Sequence, residues 1–225
     1  MLMKRPAFLA FGAVRMPTAR MRRRRAAGGF AMIEVLVTLV ILVFGLLGLA
    51  GISARINAAE MESYQRVQAL LLLQDMADRL NANRKVADCY SNATTGVQVG
   101  VGYTGTPACT NPTGNAQGNA QQNAQAVSDL SLWDAALKGS AEVNGTKIGA
   151  MIGAVGCVIR LDPTASGLAA ADVVYLVTVS WQGLTPTAAP VTAAGRPGPC
   201  GKGLYGNEAL HRIVTTTIQI GTLTP

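Results

Sequence analysis

The clearest hydrophobic pattern in the chain is an apolar run near its N-terminal end. Residues 35–54, twenty in number, contain no charged side chain. A helix rises about 1.5 Å per residue, so a helix of this length spans the roughly 30 Å hydrocarbon core of a bilayer. The pattern therefore predicts a single membrane-spanning helix.

Helical spacing continues beyond this run without a proline, which predicts one helix over residues 30–84. Its second half, residues 55–84, carries apolar residues at steps of three and four, and charged residues mostly on the other faces. We expect this apolar face to pack on a globular head; it comprises Val67, Leu70, Leu71, Leu73, Ala77 and Leu80. Gly45, Gly48 and Gly51 indicate either close packing between helices, which we favour slightly, or a stretch that can lose helicity when subunits pack.

The remainder, residues 85–225, is predicted to form a β-rich head. Weak alternation indicates a strand at 97–103, residues 104–126 are expected to be a mobile low-complexity loop, and residues 128–137 are expected to form a short helix that stops at Gly139. Longer strands are predicted at 148–161, 173–181 and 213–220, and a Pro- and Gly-rich surface loop at 183–203. Because polar loops rather than helices join these strands, we predict an antiparallel sheet and an α+β fold.

The positive charge of the chain is concentrated in one short segment. Eight of the 19 Lys and Arg residues lie in residues 1–29, which contain no acidic residue. Residues 30–225 contain the other 11 together with all 12 acidic residues, so their net charge is −1. Cations on one side of an apolar helix keep that side in the cytoplasm, so the head is expected outside the membrane. A nearly neutral head lacks the basic stripe of nucleic-acid binding, and no nucleic-acid partner is expected.

Four cysteines, Cys89, Cys109, Cys157 and Cys200, all lie on the predicted outer side. An even number in an oxidising compartment favours disulfides, with free buried thiols as the alternative. Three pairings are possible. We prefer Cys89 with Cys109 and Cys157 with Cys200, because each bond would close the base of a long loop.

No catalytic or metal-binding constellation is found in the sequence. The segment Gly100-Val-Gly102-Tyr-Thr-Gly105 matches the spacing of a dinucleotide-binding loop, but no helix follows to bind a phosphate. His211, which begins a predicted strand, is the single histidine and is expected to be hydrogen-bonded or exposed. No C-x-x-C pair is present, so we expect no metal, no cofactor and no enzymatic activity.

Glu34 is an unusual residue, because it places a carboxylate at the edge of the apolar run. Such a group either pairs with a cation or simply stabilises a helix N-terminus. The segment Arg25-Ala-Ala-Gly28-Gly29-Phe30-Ala-Met-Ile-Glu34-Val-Leu-Val resembles the class III signal of type IV prepilins and type II secretion pseudopilins. The resemblance implies cleavage by prepilin peptidase between Gly29 and Phe30, N-methylation of Phe30, and a role of Glu34 in subunit assembly.

Later segments resemble one branch of that superfamily, the PilV-type minor pilins of type IV pili. They are Phe44-Gly-Leu-Leu-Gly-Leu-Ala-Gly51, Asp75-Met-Ala-Asp-Arg-Leu-Asn-Ala-Asn83, Asp129-Leu-Ser-Leu-Trp133 and Arg212-Ile-Val-Thr-Thr-Thr-Ile218. The resemblance implies a cleaved leader at 1–29, a transmembrane and assembly half of the helix at 30–54, an amphipathic half at 55–84 and the head at 85–225.

The function implied is that of a minor pilin in pilus assembly or initiation, contributing to motility or adhesion. The implied partners are the prepilin peptidase, other minor pilins, the major pilin and a tip adhesin. The implied location is the bacterial inner membrane, with a single pass and a periplasmic head, and then the pilus at the cell surface. The alternatives are a type II secretion pseudopilin and an anchored module whose head binds a ligand or DNA.

Overall fold

The computed structural model describes residues 31–92, 95–105, 109, 118–140, 143–144, 146–147, 151–161, 173–191 and 200–220. The chain divides into two compact units at the boundary between Leu49 and Ala50. Its helices are α1 (Met32–Ala82), α2 (Ala87–Ser91) and α3 (Ala120–Leu137), and its strands are β1 (Val97–Gly100), β2 (Val143–Asn144), β3 (Thr146–Lys147), β4 (Ile152–Leu161), β5 (Val173–Gln182) and β6 (His211–Ile220). The predicted α+β class is confirmed.

Helix α1 runs through 51 residues and passes Gly45, Gly48 and Gly51 without interruption. Its bounds agree with the predicted 30–84 to within two residues at each end, and Phe30 lies outside the described residues. After Ala82 the chain turns through a short 3₁₀ helix, Arg84–Val86, into α2. The absence of proline and the continuous helical spacing explain why one helix forms over this length.

The predicted buried face of the head half of α1 is confirmed for only three of its six residues. Its buried residues are Gln65, Ala69, Leu73, Met76, Ala77 and Leu80. The predicted members Leu73, Ala77 and Leu80 are among them, but Val67, Leu70 and Leu71 are exposed. This half of the helix is apolar on more than one side, and Ala69 and Met76 lie in the core that includes the sheet residues Val177 and Val179.

The main sheet has four antiparallel strands in the order β1-β4-β5-β6. Strand β4 begins at Ile152 rather than at residue 148, and its pairing with β5 shifts between Ile152 and Val155. In β5 the predicted common face is confirmed, because Tyr175, Val177, Val179 and Trp181 are buried in one core with α1 and α3. The separate hairpin β2–β3 has a two-residue strand on each side.

Helix α3 begins eight residues earlier than predicted, so the prediction of a loop over 104–126 is wrong for 120–126. Asn119 caps the helix: its side chain accepts the backbone N–H of Gln122 at 2.8 Å, and the Gln122 side chain accepts the N–H of Asn119 at 3.0 Å. This reciprocal pair satisfies two backbone donors that a helix end otherwise leaves open. The predicted stop is confirmed, since Gly139 has a positive φ of 79° just after the last turn.

Trp133 of α3 fixes the helix against both the sheet and α1. Its indole Nε1 donates to the backbone oxygen of Leu72 at 2.9 Å. A Cβ atom on Gly156 of β4 would lie 2.3 Å from the Trp133 ring, so only glycine admits the ring at this point of the strand. Strand β1 is shorter than the predicted 97–103 because Gly100, with φ of 113°, leads into a turn.

Candidate functional site

The first half of α1 has an apolar surface that no other described part of the chain buries. Every large apolar side chain from Met32 to Leu49 is between 42 and 93% exposed. The helix is long and apolar enough to cross a membrane, and none of its most apolar stretch is buried. Exposed apolar area costs about 25 cal/mol per Å² in water, so this surface is unfavourable in water, as is typical of a helix that can span a membrane.

Glu34 lies in the first turn of this helix, with its backbone N–H bonded to the carbonyl of Ala31 at 2.9 Å. The residue is exposed, and the chain carries no cation from Ala31 to Ala54. A carboxylate near a helix N-terminus is favourable by about 0.3–1 kcal/mol. No opposite charge faces it within the described part of this unit. Gly29 and Phe30 lie outside the described residues.

In the head, the segment Asp75–Asn83 contacts the segment Asp129–Trp133, and both are among the segments that resemble minor pilins. Arg79 of α1 contacts Asp129 of α3 at 3.0 Å and Asp75 on its own helix at 2.9 Å. Asp129 is buried and also accepts from Tyr90 and Gln125. Burial and this bond to Asp129 raise the pKa of Tyr90, so the hydroxyl remains a donor. Residues of the two segments thus form one satisfied polar network that holds α3 on α1.

A second buried acid, Asp88, links α2 to the sheet. Its carboxylate accepts two bonds from Arg160 Nη1, at 2.9 and 3.0 Å, and one from the Tyr175 hydroxyl at 2.7 Å. Burial and the bond to Asp88 raise the pKa of Tyr175. These partners lie 72 and 87 residues from Asp88 along the chain. Sequence spacing gave no signal for this contact.

Both preferred disulfides are present: Cys89 is bonded to Cys109, and Cys157 to Cys200. The second bond closes 43 residues of chain and holds the buried Cys200 against β4. In the chain-entropy model, a cross-link of this loop length stabilises the folded state by about 4 kcal/mol, because it lowers the entropy of the unfolded chain.

His211 is buried and hydrogen-bonded through both ring nitrogens. Nδ1 lies 2.9 Å from a Glu208 oxygen, and Nε2 lies 2.9 Å from the carbonyl oxygen of Cys200. The prediction of a hydrogen-bonded histidine is confirmed. Within the described ranges, no three His, Cys, Asp or Glu side chains are grouped so as to hold a metal ion.

Glu62 ties α1 to the chain that follows β5, a contact that the sequence did not predict. Its Oε1 accepts from the backbone N–H groups of Leu184 and Thr185 at 3.1 Å, the Thr185 hydroxyl at 3.0 Å, and Arg212 Nη2 at 3.1 Å. Partial burial opposes the charge, but the bonds from Thr185 and the Arg212 guanidinium outweigh it and lower the pKa of Glu62. The carboxylate is therefore held in its charged form.

Replacing Glu62 by glutamine is expected to lower stability by about 1–2 kcal/mol at pH 7, since a charged acceptor of several hydrogen bonds is lost. A carboxyl group with a lowered folded-state pKa contributes stability above its unfolded pKa, near 4.5, and loses it as pH falls through the folded value. The difference between parent and Glu62→Gln should therefore shrink as the pH falls below about 4.5. Urea unfolding of the full chain in detergent measures the difference in stability at each pH, with the exposed Glu60→Gln as control. A difference that does not change with pH would contradict the proposed role of the Glu62 charge.

Comparison with known proteins found no match: no protein-family model, no curated protein and no solved structure is similar to this chain. The likeness to pilins therefore depends on the segments of the chain itself. The features of the chain that bear on function are α1, Glu34 and the head.

Proposed function

We propose that this chain is a prepilin-like minor subunit of the type IV pilus, acting in pilus assembly or initiation and contributing to motility or adhesion. The observation that carries the proposal is the continuity of α1. Its exposed apolar half carries Glu34 in the first turn, and the same helix continues to a half with one face buried in the head. A cleaved secretory signal would not be continuous with the folded domain.

The arrangement of the head supports the same proposal. One amphipathic helix packs into the core of a four-stranded antiparallel sheet, and two disulfides hold the loops of the head. Disulfides persist in oxidising compartments, which suits a periplasmic and then extracellular head. We propose that the architecture is a type IV pilin-like fold, in which α1 is both the membrane anchor and the assembly element.

In the proposed mechanism, prepilin peptidase removes residues 1–29 at the cytoplasmic face and methylates Phe30. The exposed apolar side chains of α1 then exchange lipid for the helices of other minor pilins and of the major pilin. Entering such a helix bundle removes water from Glu34, whose carboxylate then needs a cation. The amine of Phe30 in a neighbouring subunit, or of its equivalent, supplies that charge. A tip adhesin is a further proposed partner of the head.

Mass spectrometry of the protein purified from membranes tests the processing step. We expect a mature chain of residues 30–225 with a methylated N-terminal Phe30, because the cationic leader stays on the cytoplasmic side and Gly29 lies at the membrane edge. An N-terminus after Ala50 or Ala54 would instead indicate an ordinary secreted protein and overturn the proposal.

Deletion of the gene, with surface pili, motility, adhesion and protein secretion scored in the same strains, tests the function. The proposal expects the loss of pili or motility with secretion intact. Loss of secretion alone would assign the chain to a type II secretion pseudopilus. Unchanged pili, motility and adhesion would overturn the proposed function.

A further inference from the structure

Strand β6 forms one edge of the main sheet and is paired on one side only. Its ten residues, His211–Ile220, pair continuously with β5, from Gln182 opposite His211 to Val173 opposite Ile220, with no register shift. No described strand pairs with its other side. A long regular edge of this kind presents a row of backbone donors and acceptors to a further strand.

The two edges of the sheet differ in their protection. Strand β1 has only four residues, ends at Gly100 and lies beside α3, so it offers a short edge. Strand β6 contains no proline, glycine or bulge, and seven of its ten residues are β-branched. Its one charged side chain, Arg212, is bonded to Glu62 and to the carbonyl of Ala209. Within the residues His211–Ile220 themselves, the proline, glycine, bulge and unpaired charge that usually prevent strand addition are therefore missing.

A cavity of about 430 Å³ lies between α1 and the sheet, where the end of β5 pairs with the start of β6. Its lining residues are Ala59, Glu62, Ser63, Arg66, Trp181, Arg212 and Ile213. Glu62 and Arg212 neutralise each other. Arg66 is exposed and makes no hydrogen bond or ion pair with any described residue. Among the described residues, one positive charge of this cavity, that of Arg66, is therefore left without an opposite charge close to the start of β6.

We propose that β6 and this cavity accept an extended acidic segment of a partner protein, which adds to the sheet as a further strand. Backbone hydrogen bonds to β6 hold the partner segment. A carboxylate at one end of the partner segment binds Arg66. A strand of a second copy is a poorer occupant, because neither β1 nor β6 contains an aspartate or glutamate. The inference goes beyond the proposed function and depends only on the described head.

The test uses the full chain in detergent and three labelled nine-residue peptides. The first alternates threonine and valine with aspartate at both ends, the second has asparagine at both ends, and the third is the aspartate peptide with every internal backbone nitrogen methylated. Fluorescence anisotropy measures binding, and hydrogen exchange locates it. We expect saturable binding of the aspartate peptide, protection of amides in His211–Ile220, and no binding of the methylated peptide.

The charge is tested by Arg66→Gln, with Arg55→Gln as the matched control on the exposed surface of the same helix. We expect the aspartate peptide to bind Arg66→Gln about fivefold more weakly than it binds the parent. The asparagine peptide should bind the parent more weakly by the same factor. Arg55→Gln should bind like the parent. Four results would each overturn the proposal: no saturable binding, equal binding of the methylated peptide, equal binding by Arg66→Gln, or protection outside β6. Concentration-dependent protection of β6 in the protein alone would assign the edge to a second copy instead.

Discussion

Trp133→Ala is expected to lower the free energy of unfolding by about 3–5 kcal/mol, because it removes a fully buried ring from the core. The ring packs on Gly156 of β4, and its Nε1 donates to the Leu72 carbonyl of α1. The substitution therefore opens a cavity where α1, α3 and the sheet meet. Urea unfolding of the full chain in detergent, followed by the fluorescence of the remaining Trp181, measures the loss.

Leu132→Ala is the matched control, since Leu132 precedes Trp133 on α3 and is exposed. Its effect should stay within about 0.5 kcal/mol. Trp133→Phe retains most of the packing but removes the donor to Leu72, and an intermediate loss is expected. If Trp133→Ala costs no more than Leu132→Ala, the ring does not hold the three elements together.

Local patterns in the sequence predicted the elements of the fold well. The apolar run and the helical spacing after it are properties of neighbouring residues, so α1 was predicted to within two residues at each end. The alternation in β5 identified its buried face, with Val177 and Val179 at its centre. The positions of the four cysteines around long loops favoured the pairing that the structure contains.

One error arose where tertiary contacts decide which residues are buried, and another where a local signal was overlooked. α1 has apolar residues on several sides of its second half, and only packing against the sheet decides that Ala69 and Met76 are buried whereas Leu71 is exposed. The start of α3 was missed because a repeated Asn-Ala-Gln stretch resembles a loop. The capping pair of Asn119 and Gln122 was present in the sequence and could have predicted this start.

The residues of the candidate site likewise differ in whether the local sequence identifies them. Glu34 is recognised from the residues around it, because a carboxylate beside a long apolar run is unusual whatever the fold. Glu62 could not be recognised, since its partners Thr185 and Arg212 lie 123 and 150 residues away. The β6 edge likewise became visible only with the strand order, which places β6 at the border of the sheet.

Glu34→Ala is expected to abolish entry of the protein into filaments while leaving membrane insertion unchanged. In an isolated subunit the exposed carboxylate can remain hydrated near the lipid headgroups, so its loss should not affect anchoring. In a bundle of apolar helices the carboxylate loses water and, in the proposed mechanism, pairs with the amine of a neighbouring Phe30. Removing one member of a desolvated pair costs about 3–5 kcal/mol, whereas losing a helix-end carboxylate without a partner costs at most about 1 kcal/mol.

The amount of protein in sheared pili, relative to the amount in membranes, distinguishes these two roles of Glu34. Glu34→Gln should fail like Glu34→Ala, because it keeps the size of the side chain but removes the charge. Thr38→Ala, one turn further along the exposed face, removes only a local bond to the carbonyl of Val35 and should enter pili normally. Complete exclusion of Glu34→Ala from pili would support the pairing, because loss of a helix-end carboxylate alone cannot account for it. Parental amounts of Glu34→Ala in sheared pili would contradict the pairing with Phe30.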